Sequence, residues 1–409
     1  MPEPGIVPES GRCEDRGRGS APSLEDLRVT AMGTSLNPFL SQKIRFWSFV
    51  SMFLLVFVHA YNLEPRYLQP WTTPVEPLTP TGFVQYLLAN GLLRFRIPML
   101  FVISGYLFAL HDEKPHSQRV RKRLRTLLAP YLIWSAFGIL LTFVLELHPY
   151  TLGGIASSHL VQIDDTRMFI RDYRWYEIAI RWIFFPVSYQ LWFIRVLLIY
   201  NLAYPLIVKA VQHKTGRYVF FSFAALLWLT TFDLAFVEGE GLLFFSLGVW
   251  IQKTGFSVES PKHWLNPTRW FIAFVGLAVL KTWLAFRGQS LMGNSVYPLI
   301  ALLHKGTVIS GLIACWYGGN AVVRWFMARS WFVWLSAFSF MIYAMHAPLV
   351  SYLIDPTIAA LQPVPAARLF AYILLPLAVI ALCVATGAAL RRTTPGLYGL
   401  LTGGRGMGG

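Results

Sequence analysis

The chain has 409 residues, of which 55% are hydrophobic, 16% aromatic and only 13% charged. Soluble domains carry about 25% charged residues, and a protein core cannot absorb so much apolar side chain. Several apolar runs have the length of about 20 residues that crosses a bilayer as a helix. The composition therefore excludes an ordinary soluble domain and predicts an all-α, polytopic membrane protein.

The formal net charge is +15, which in a soluble protein would suggest a nucleic-acid partner. Here the basic residues fall mostly between apolar runs, so they indicate membrane topology and no nucleic-acid partner is expected. The three cysteines, Cys13, Cys315 and Cys383, have neither the spacing of a metal site nor that of a disulfide framework. We therefore predict no metal, and the oligomeric state stays open.

The N-terminal segment 1–41 is rich in Gly, Pro, Arg and Glu and lacks the apolar stretch of a secretory signal. We interpret it as a disordered cytoplasmic tail. Met32 lies inside this tail and is an alternative start of translation.

About ten transmembrane helices are predicted within a domain that covers 42–392. Their approximate bounds are 44–62, 83–110, 126–147, 189–208, 218–236, 241–252, 269–286, 297–317, 331–354 and 369–390. The densest basic run, HDEKPHSQRVRKRLR (111–125), follows the second helix, so the positive-inside rule places that loop in the cytoplasm. If successive helices cross the membrane in alternating directions from that loop, nearly every loop assigned to the cytoplasm is basic. Both termini then lie in the cytoplasm.

Two segments outside the predicted helices also carry expectations. The mixed-charge loop 148–185 is assigned to the outer side and is long enough to hold a small amphipathic helix. The last residues, 393–409, are Gly-rich and are predicted to be a flexible tail.

Ionisable residues within membrane spans cost about 2.5–3.5 kcal/mol each at a helix centre, so they usually face the bundle interior. The candidates are Arg45, His59, Arg94, Arg96, Arg195, Asp233, Lys281, His304, Lys305 and His346. His59 lies near the outer end of the first span, and a histidine there can act as a general base on an outside substrate. Ser48 and Arg45 fall on the same helix face, about 16 and 21 Å away along the axis. The alternative is an interfacial histidine held by one hydrogen bond.

Further polar residues have both a structural and a functional interpretation. Arg94 and Arg96 could reach the outer surface or form a cationic cavity wall, and Ser104 before Gly105 is compatible with close helix packing alone. The basic run is at least a topology signal, and it could also bind the phosphates of a cytoplasmic cofactor. His346 lies at a depth similar to that of His59, as a packing residue or a second polar member of an outer site. One of Asp233, Glu238 and Glu240 could orient His59.

Five stretches in order resemble the acyltransferase-3 family of integral membrane acyltransferases. They are LLVFVHAYN, RFRIPMLFVISGYLF (94–108), RTLLAPYLIWS (125–135), QLWFIRVLL (190–198) and SFMIYAMHAPL (339–349). The resemblance covers about 42–392. One position departs from the family pattern, in which ten residues separate an arginine from the histidine: the arginine position is Ser48 here, with Arg45 one turn earlier.

The resemblance implies transfer of an acyl group, acetyl by default, from cytoplasmic acyl-CoA to a hydroxyl of an envelope or exported glycan or glycolipid. It implies a multi-pass protein of the bacterial inner membrane with the lipid bilayer as its surroundings.

The expected roles follow from this scheme. His59 is the catalytic base and Arg96 stabilises the oxyanion, while Arg94, Ser104 and His346 bind the acceptor. Acyl-CoA is bound by Arg45, Ser48, Arg121, Lys122, Arg123 and Arg125. A secondary transporter or exporter of a small metabolite is the competing interpretation, although no paired halves are visible.

Overall fold

The computed structural model describes residues 36–232 and 236–407. Those residues are helical and contain no β-sheet, which confirms the all-α prediction. Most of the predicted tail 1–41 lies outside the described residues, and the first helix begins at Pro38, a few residues before the predicted domain boundary.

The helices of the first half are α1 Pro38–His59, α2 Pro80–Tyr86, α3 Arg96–Leu110, α4 His116–Arg123, α5 Ala129–Glu146, α6 Pro149–Ser158, α7 Trp175–Ile183, α8 Trp192–Leu202 and α9 Tyr204–Gln212. Those of the second half are α10 Lys214–Thr230, α11 Gly239–Thr254, α12 Pro267–Met292, α13 Val296–Gly318, α14 Asn320–Met327, α15 Ser330–Ser336, α16 Ser339–Ala360, α17 Ala367–Thr393 and α18 Pro395–Thr402. Two π-helical segments, Leu87–Leu92 and Leu124–Leu128, continue α2 and α4.

Five segments of the described chain are long and apolar enough to cross a membrane, or up to seven if each of two bent helix pairs counts as one span. The bent pairs are α8 with α9, at 64°, and α15 with α16, at 57°. The protein is thus a multi-pass membrane protein, whereas the predicted count of ten and the cytoplasmic termini stay predictions.

The difference in the count has a physical origin in helix length. The predicted fifth and sixth spans correspond to α10 and α11, which have 17 and 16 residues. At 1.5 Å per residue they are about 24–26 Å long, shorter than a hydrocarbon core of about 30 Å. Another segment, Pro267–Gly318, holds two helices that pack together, since a Cβ on Gly311 of α13 would lie 2.6 Å from the ring of Phe274 in α12.

The long loop 148–185 contains α6 and α7, so the expected small helix is present. Helix α7 has an apolar face and charged residues at Glu177 and Arg181. Glu146 at the end of α5 accepts backbone hydrogen bonds from Ile170 and Arg171, at 2.8 and 3.2 Å. These bonds fix the loop to the end of α5.

The C-terminal segment 393–409 was predicted to be a flexible tail, and its described part contains a short helix. Pro395 begins α18, and the side chain of Tyr398 is fully buried. Arg405 donates to the carbonyl oxygen of Thr126 at 2.8 Å. Gly403 and Gly406 have positive φ, which glycine adopts without strain and which lets the backbone turn back onto the bundle.

Helices α3 and α11 pack with their backbones in close contact. A Cβ on Gly105 would lie 2.0 Å from the carbonyl oxygen of Phe245, and one on Gly248 would lie 2.1 Å from that of Val102. Small residues permit such contact between membrane helices. The packing interpretation of Gly105 therefore holds, and it positions the helix that begins with Arg96.

Candidate active site

A cavity of about 310 Å³ lies at the C-terminal end of α1, and we call it the His59 cavity. Its polar lining includes His59, Arg66, Tyr67, Gln69, Arg94, Arg96, Ser158, Tyr189, Gln190, Glu240, His304 and Ser351. These residues come from separated parts of the chain. The cavity therefore forms only when the bundle assembles.

The two histidines singled out from the sequence are hydrogen-bonded to each other. His59 Nδ1 lies 2.9 Å from His346 Nε2, and His346 Nδ1 lies 2.8 Å from the carbonyl oxygen of Ile342. A carbonyl only accepts, so His346 carries its proton on Nδ1 and accepts on Nε2. His59 must then donate from Nδ1, which leaves an unprotonated Nε2 on the ring that lines the cavity.

The two predicted arginines both line the His59 cavity, directly after the π-helical segment. Arg94 donates to the carbonyl oxygen of Leu68 at 3.0 Å, and Arg96 donates to that of Leu93 at 2.8 Å. Arg96 is only 3% exposed. Neither residue extends to the surface as a snorkelling arginine would, so the cavity-wall interpretation describes their position.

The loop between α1 and α2 covers this cavity. Arg66 forms a bidentate ion pair with Asp355 of α16, at 2.6 and 3.1 Å, and a second ion pair with Glu64 at 3.0 Å. Tyr67 donates to the carbonyl oxygen of Ser158 at 2.9 Å. Burial raises the pKa of Tyr67 to about 12, so its hydroxyl stays a donor at neutral pH.

A second buried polar group adjoins the cavity. Lys281 Nζ lies 2.5 Å from the carbonyl oxygen of Asn90 and 2.9 Å from His304 Nδ1, and Lys281 is fully buried. Among the acidic residues considered as partners of His59, Glu240 lines the cavity, while Asp233 lies outside the described residues. His59 hydrogen-bonds to His346 instead. Sequence reasoning marked Lys281 and His304 as intramembrane candidates but gave them no role.

A second cavity, of about 260 Å³, lies further toward the N-terminal end of α1, and we call it the Ser48 cavity. Ser48, Ser104 and Arg123 line it, as does Arg405 from the C-terminal segment. Phe193 and Tyr343 line both cavities, with their ring centroids 6.3 Å apart. The two cavities therefore meet at this aromatic pair.

Other predicted residues lie elsewhere. Arg45 donates to Ser336 Oγ at 2.8 Å and to the carbonyl oxygen of Val333 at 2.6 Å, and it lines neither cavity. Its guanidinium thus connects α1 to α15. Ser104, predicted for the acceptor, lines the Ser48 cavity. The remaining basic-run residues, Arg121, Lys122 and Arg125, are exposed.

Arg405 was missed because the tail's glycines suggested flexibility. The apolar sequence GLYGLL after Pro395 is the signal that could have predicted a docked helix.

Asp112, which lies between α3 and α4, forms ion pairs with Arg119 of α4 and Lys253 of α11. Partial burial opposes ionisation of this carboxyl, but hydrogen bonds from Lys253 and Tyr204 and the charges of Lys253 and Arg119 lower its pKa overall. Arg119 is therefore engaged within the protein. In the described part of the chain, no group of three or more His, Cys, Asp or Glu side chains could hold a metal ion.

The chain belongs to the acyltransferase-3 family, since the family model, described as an acyltransferase domain, matches residues 46–389. It is therefore a membrane O-acyltransferase, and this membership favours the enzyme over the transporter interpretation.

One relative of the chain is the succinoglycan biosynthesis protein ExoH of Rhizobium meliloti (strain 1021). It is 26% identical over 364 residues, which cover 86% of this chain and 89% of the relative. No solved structure matches the chain.

Proposed function

We propose that this enzyme transfers an acyl group, acetyl in the simplest case, from cytoplasmic acyl-CoA to a hydroxyl of an envelope or exported glycan in a bacterial inner membrane. The observation that carries the proposal is the His59–His346 hydrogen bond, which leaves His59 Nε2 free to accept a proton. The name of the relative, a succinoglycan biosynthesis protein, supports a glycan acceptor.

The transfer step follows from these groups. His59 Nε2 takes the proton of the acceptor hydroxyl while the oxygen attacks the thioester carbonyl. Arg96 stabilises the negative charge that develops on the carbonyl oxygen. The C–S bond then breaks, and the protonated His59 returns the proton to the leaving thiolate. The products are an ester and free CoA.

The donor would enter through the Ser48 cavity. Arg123 and Arg405 line it, and guanidinium groups bind phosphate well. Ser48 and Ser104 line its wall, where their hydroxyls can hydrogen-bond to the amides of a pantetheine arm. The thioester would then reach the His59 cavity at Phe193 and Tyr343.

The test is acyl transfer from radiolabelled acetyl-CoA to envelope glycan in purified membranes. His59→Gln should lower the transfer rate about 10²–10⁴-fold, as is usual for loss of a general base. His111→Gln is the matched control, because His111 is exposed and lines neither cavity. Its rate should equal that of the wild type.

Full transfer by His59→Gln, at equal protein level, would show that another group is the base. If wild-type membranes consume acetyl-CoA but never label a glycan, the proposed acceptor is wrong.

A further inference from the structure

We propose that the acceptor in the His59 cavity is an acidic sugar, whose carboxylate is bound by Arg94 and His304. The inference rests on the function proposed above and specifies the class of its acceptor.

The charge of the cavity lining is unbalanced. Within the described parts of the chain, three arginines line it, Arg66, Arg94 and Arg96, against one carboxylate, Glu240. Arg66 is neutralised by its ion pairs with Asp355 and Glu64. Arg94 and Arg96 are left with Glu240.

Glu240 is itself shared among several partners. It accepts a hydrogen bond from Trp228 Nε1 at 3.2 Å, and it interacts electrostatically with Lys305 as well as with both arginines. Arg94 and Arg96 therefore share one carboxylate, which has other partners too. A buried cation without a counter-charge is costly, so the cavity favours a ligand that brings a negative charge.

The two arginines also have donors to spare. A guanidinium has five N–H groups. Arg94 uses one of them to donate to Leu68, and Arg96 uses one to donate to Leu93. Both Nε atoms are buried and have no hydrogen-bond partner among the described residues. In the proposed reaction Arg96 serves the carbonyl oxygen of the thioester. Arg94 is then the guanidinium available for a second anionic group.

His304 supplies the matching donor. His304 Nδ1 lies 2.9 Å from Lys281 Nζ. A protonated Lys281 would donate to this nitrogen, and His304 would then carry its proton on Nε2. His304 lines the cavity, where this N–H can serve a carboxylate oxygen. Lys281 is a positioning residue, because it fixes the tautomer and is itself held by the carbonyl oxygen of Asn90.

The experiment compares two acceptors that differ in one group: an oligosaccharide ending in glucuronic acid, and the same oligosaccharide after reduction of that carboxyl to a primary alcohol. We expect kcat/KM for the acidic acceptor to be about 10–100-fold higher, the range for a charge-assisted hydrogen bond. Arg94→Gln and His304→Leu should bring this ratio toward one, and Arg94→Lys should keep part of it. Arg287→Gln, exposed on α12, is the control and should not change the ratio.

A second measurement does not depend on turnover. Glucuronate should raise the unfolding temperature of the purified wild type more than glucose does, and Arg94→Gln should abolish the difference. Equal kcat/KM for both acceptors without protection by glucuronate would overturn the inference and leave the proposed function intact. The inference would also be overturned if the preference for the acidic acceptor appeared only with an acyl donor that itself carries a carboxylate. Specific protection by glucuronate without any transfer would support the anion site and count against the proposed function.

Discussion

His59 has its proton on Nδ1 because the facing atom, His346 Nε2, is unprotonated and can only accept a hydrogen bond. The backbone carbonyl of Ile342 accepts a hydrogen bond from His346 Nδ1 and thereby fixes the tautomer of His346. A main-chain group of α16 thus sets, through His346, the tautomer of His59 on α1. The arrangement serves the same end as a carboxylate behind a catalytic histidine, but it places no additional negative charge in the membrane. A carboxylate there would be costly to bury.

Replacement of His346 should affect turnover more than binding. His346→Leu removes the acceptor for His59 Nδ1–H, and we expect kcat to fall about 10–100-fold, as for other groups that orient a functional histidine. KM for the acceptor should change little. His346→Gln, whose amide oxygen can accept the same hydrogen bond, should recover part of kcat. Steady-state kinetics on both variants would reveal the split, and a change confined to KM would contradict a positioning role.

At the scale of elements, the segment that follows α18 contributes Arg405 to the Ser48 cavity. Helix α18 leads to Arg405, which lines the cavity together with Arg123 and lies 4.8 Å from the ring centroid of Phe340. Burial lowers the pKa of Arg405 to about 10, which still leaves the guanidinium charged at neutral pH. The C-terminal segment is thus part of the candidate donor site.

Arg405→Gln should raise KM for acyl-CoA about 10–100-fold and leave kcat nearly unchanged, because a phosphate contact is lost while the His59 cavity is intact. Arg392→Gln is the matched control, since it removes one exposed positive charge from the end of α17. Initial rates at varied acetyl-CoA would distinguish them. Equal effects of the two variants would mean that only the overall positive charge matters.

At the scale of the whole molecule, the proposed topology places the basic helix α4 in the cytoplasm and α7 outside. Single cysteines at Lys122 and Trp175, both exposed, should test this in a background without Cys13, Cys315 and Cys383. In intact cells a membrane-impermeant maleimide should label Trp175→Cys alone. After the cells are opened it should label both. Labelling of Lys122→Cys in intact cells would invert the topology.

Much of this molecule was predictable from local patterns. Apolar runs and basic loops indicated the membrane class, and the depth of His59 and His346 in their spans indicated a shared level. Their direct bond was not predictable, because it joins positions 287 residues apart and a single sequence contains no signal for that contact. The contacts of Arg45 were not predictable either: it lies on the predicted face of α1, and its guanidinium hydrogen-bonds to Ser336 and Val333. Helix periodicity defines a face but does not identify the neighbour.

The aromatic pair where the two cavities meet, Phe193 and Tyr343, bears on the membrane potential of the cell. Cavities that open to opposite sides of a membrane would, if continuous, let protons and ions leak and dissipate the membrane potential. Phe193 and Tyr343 line both cavities. On the proposed route a thioester would pass these two rings to reach His59, and the rings would limit an open aqueous path. On the proposed function and topology, an activated ester from the cytoplasm would drive synthesis on the other side of the membrane.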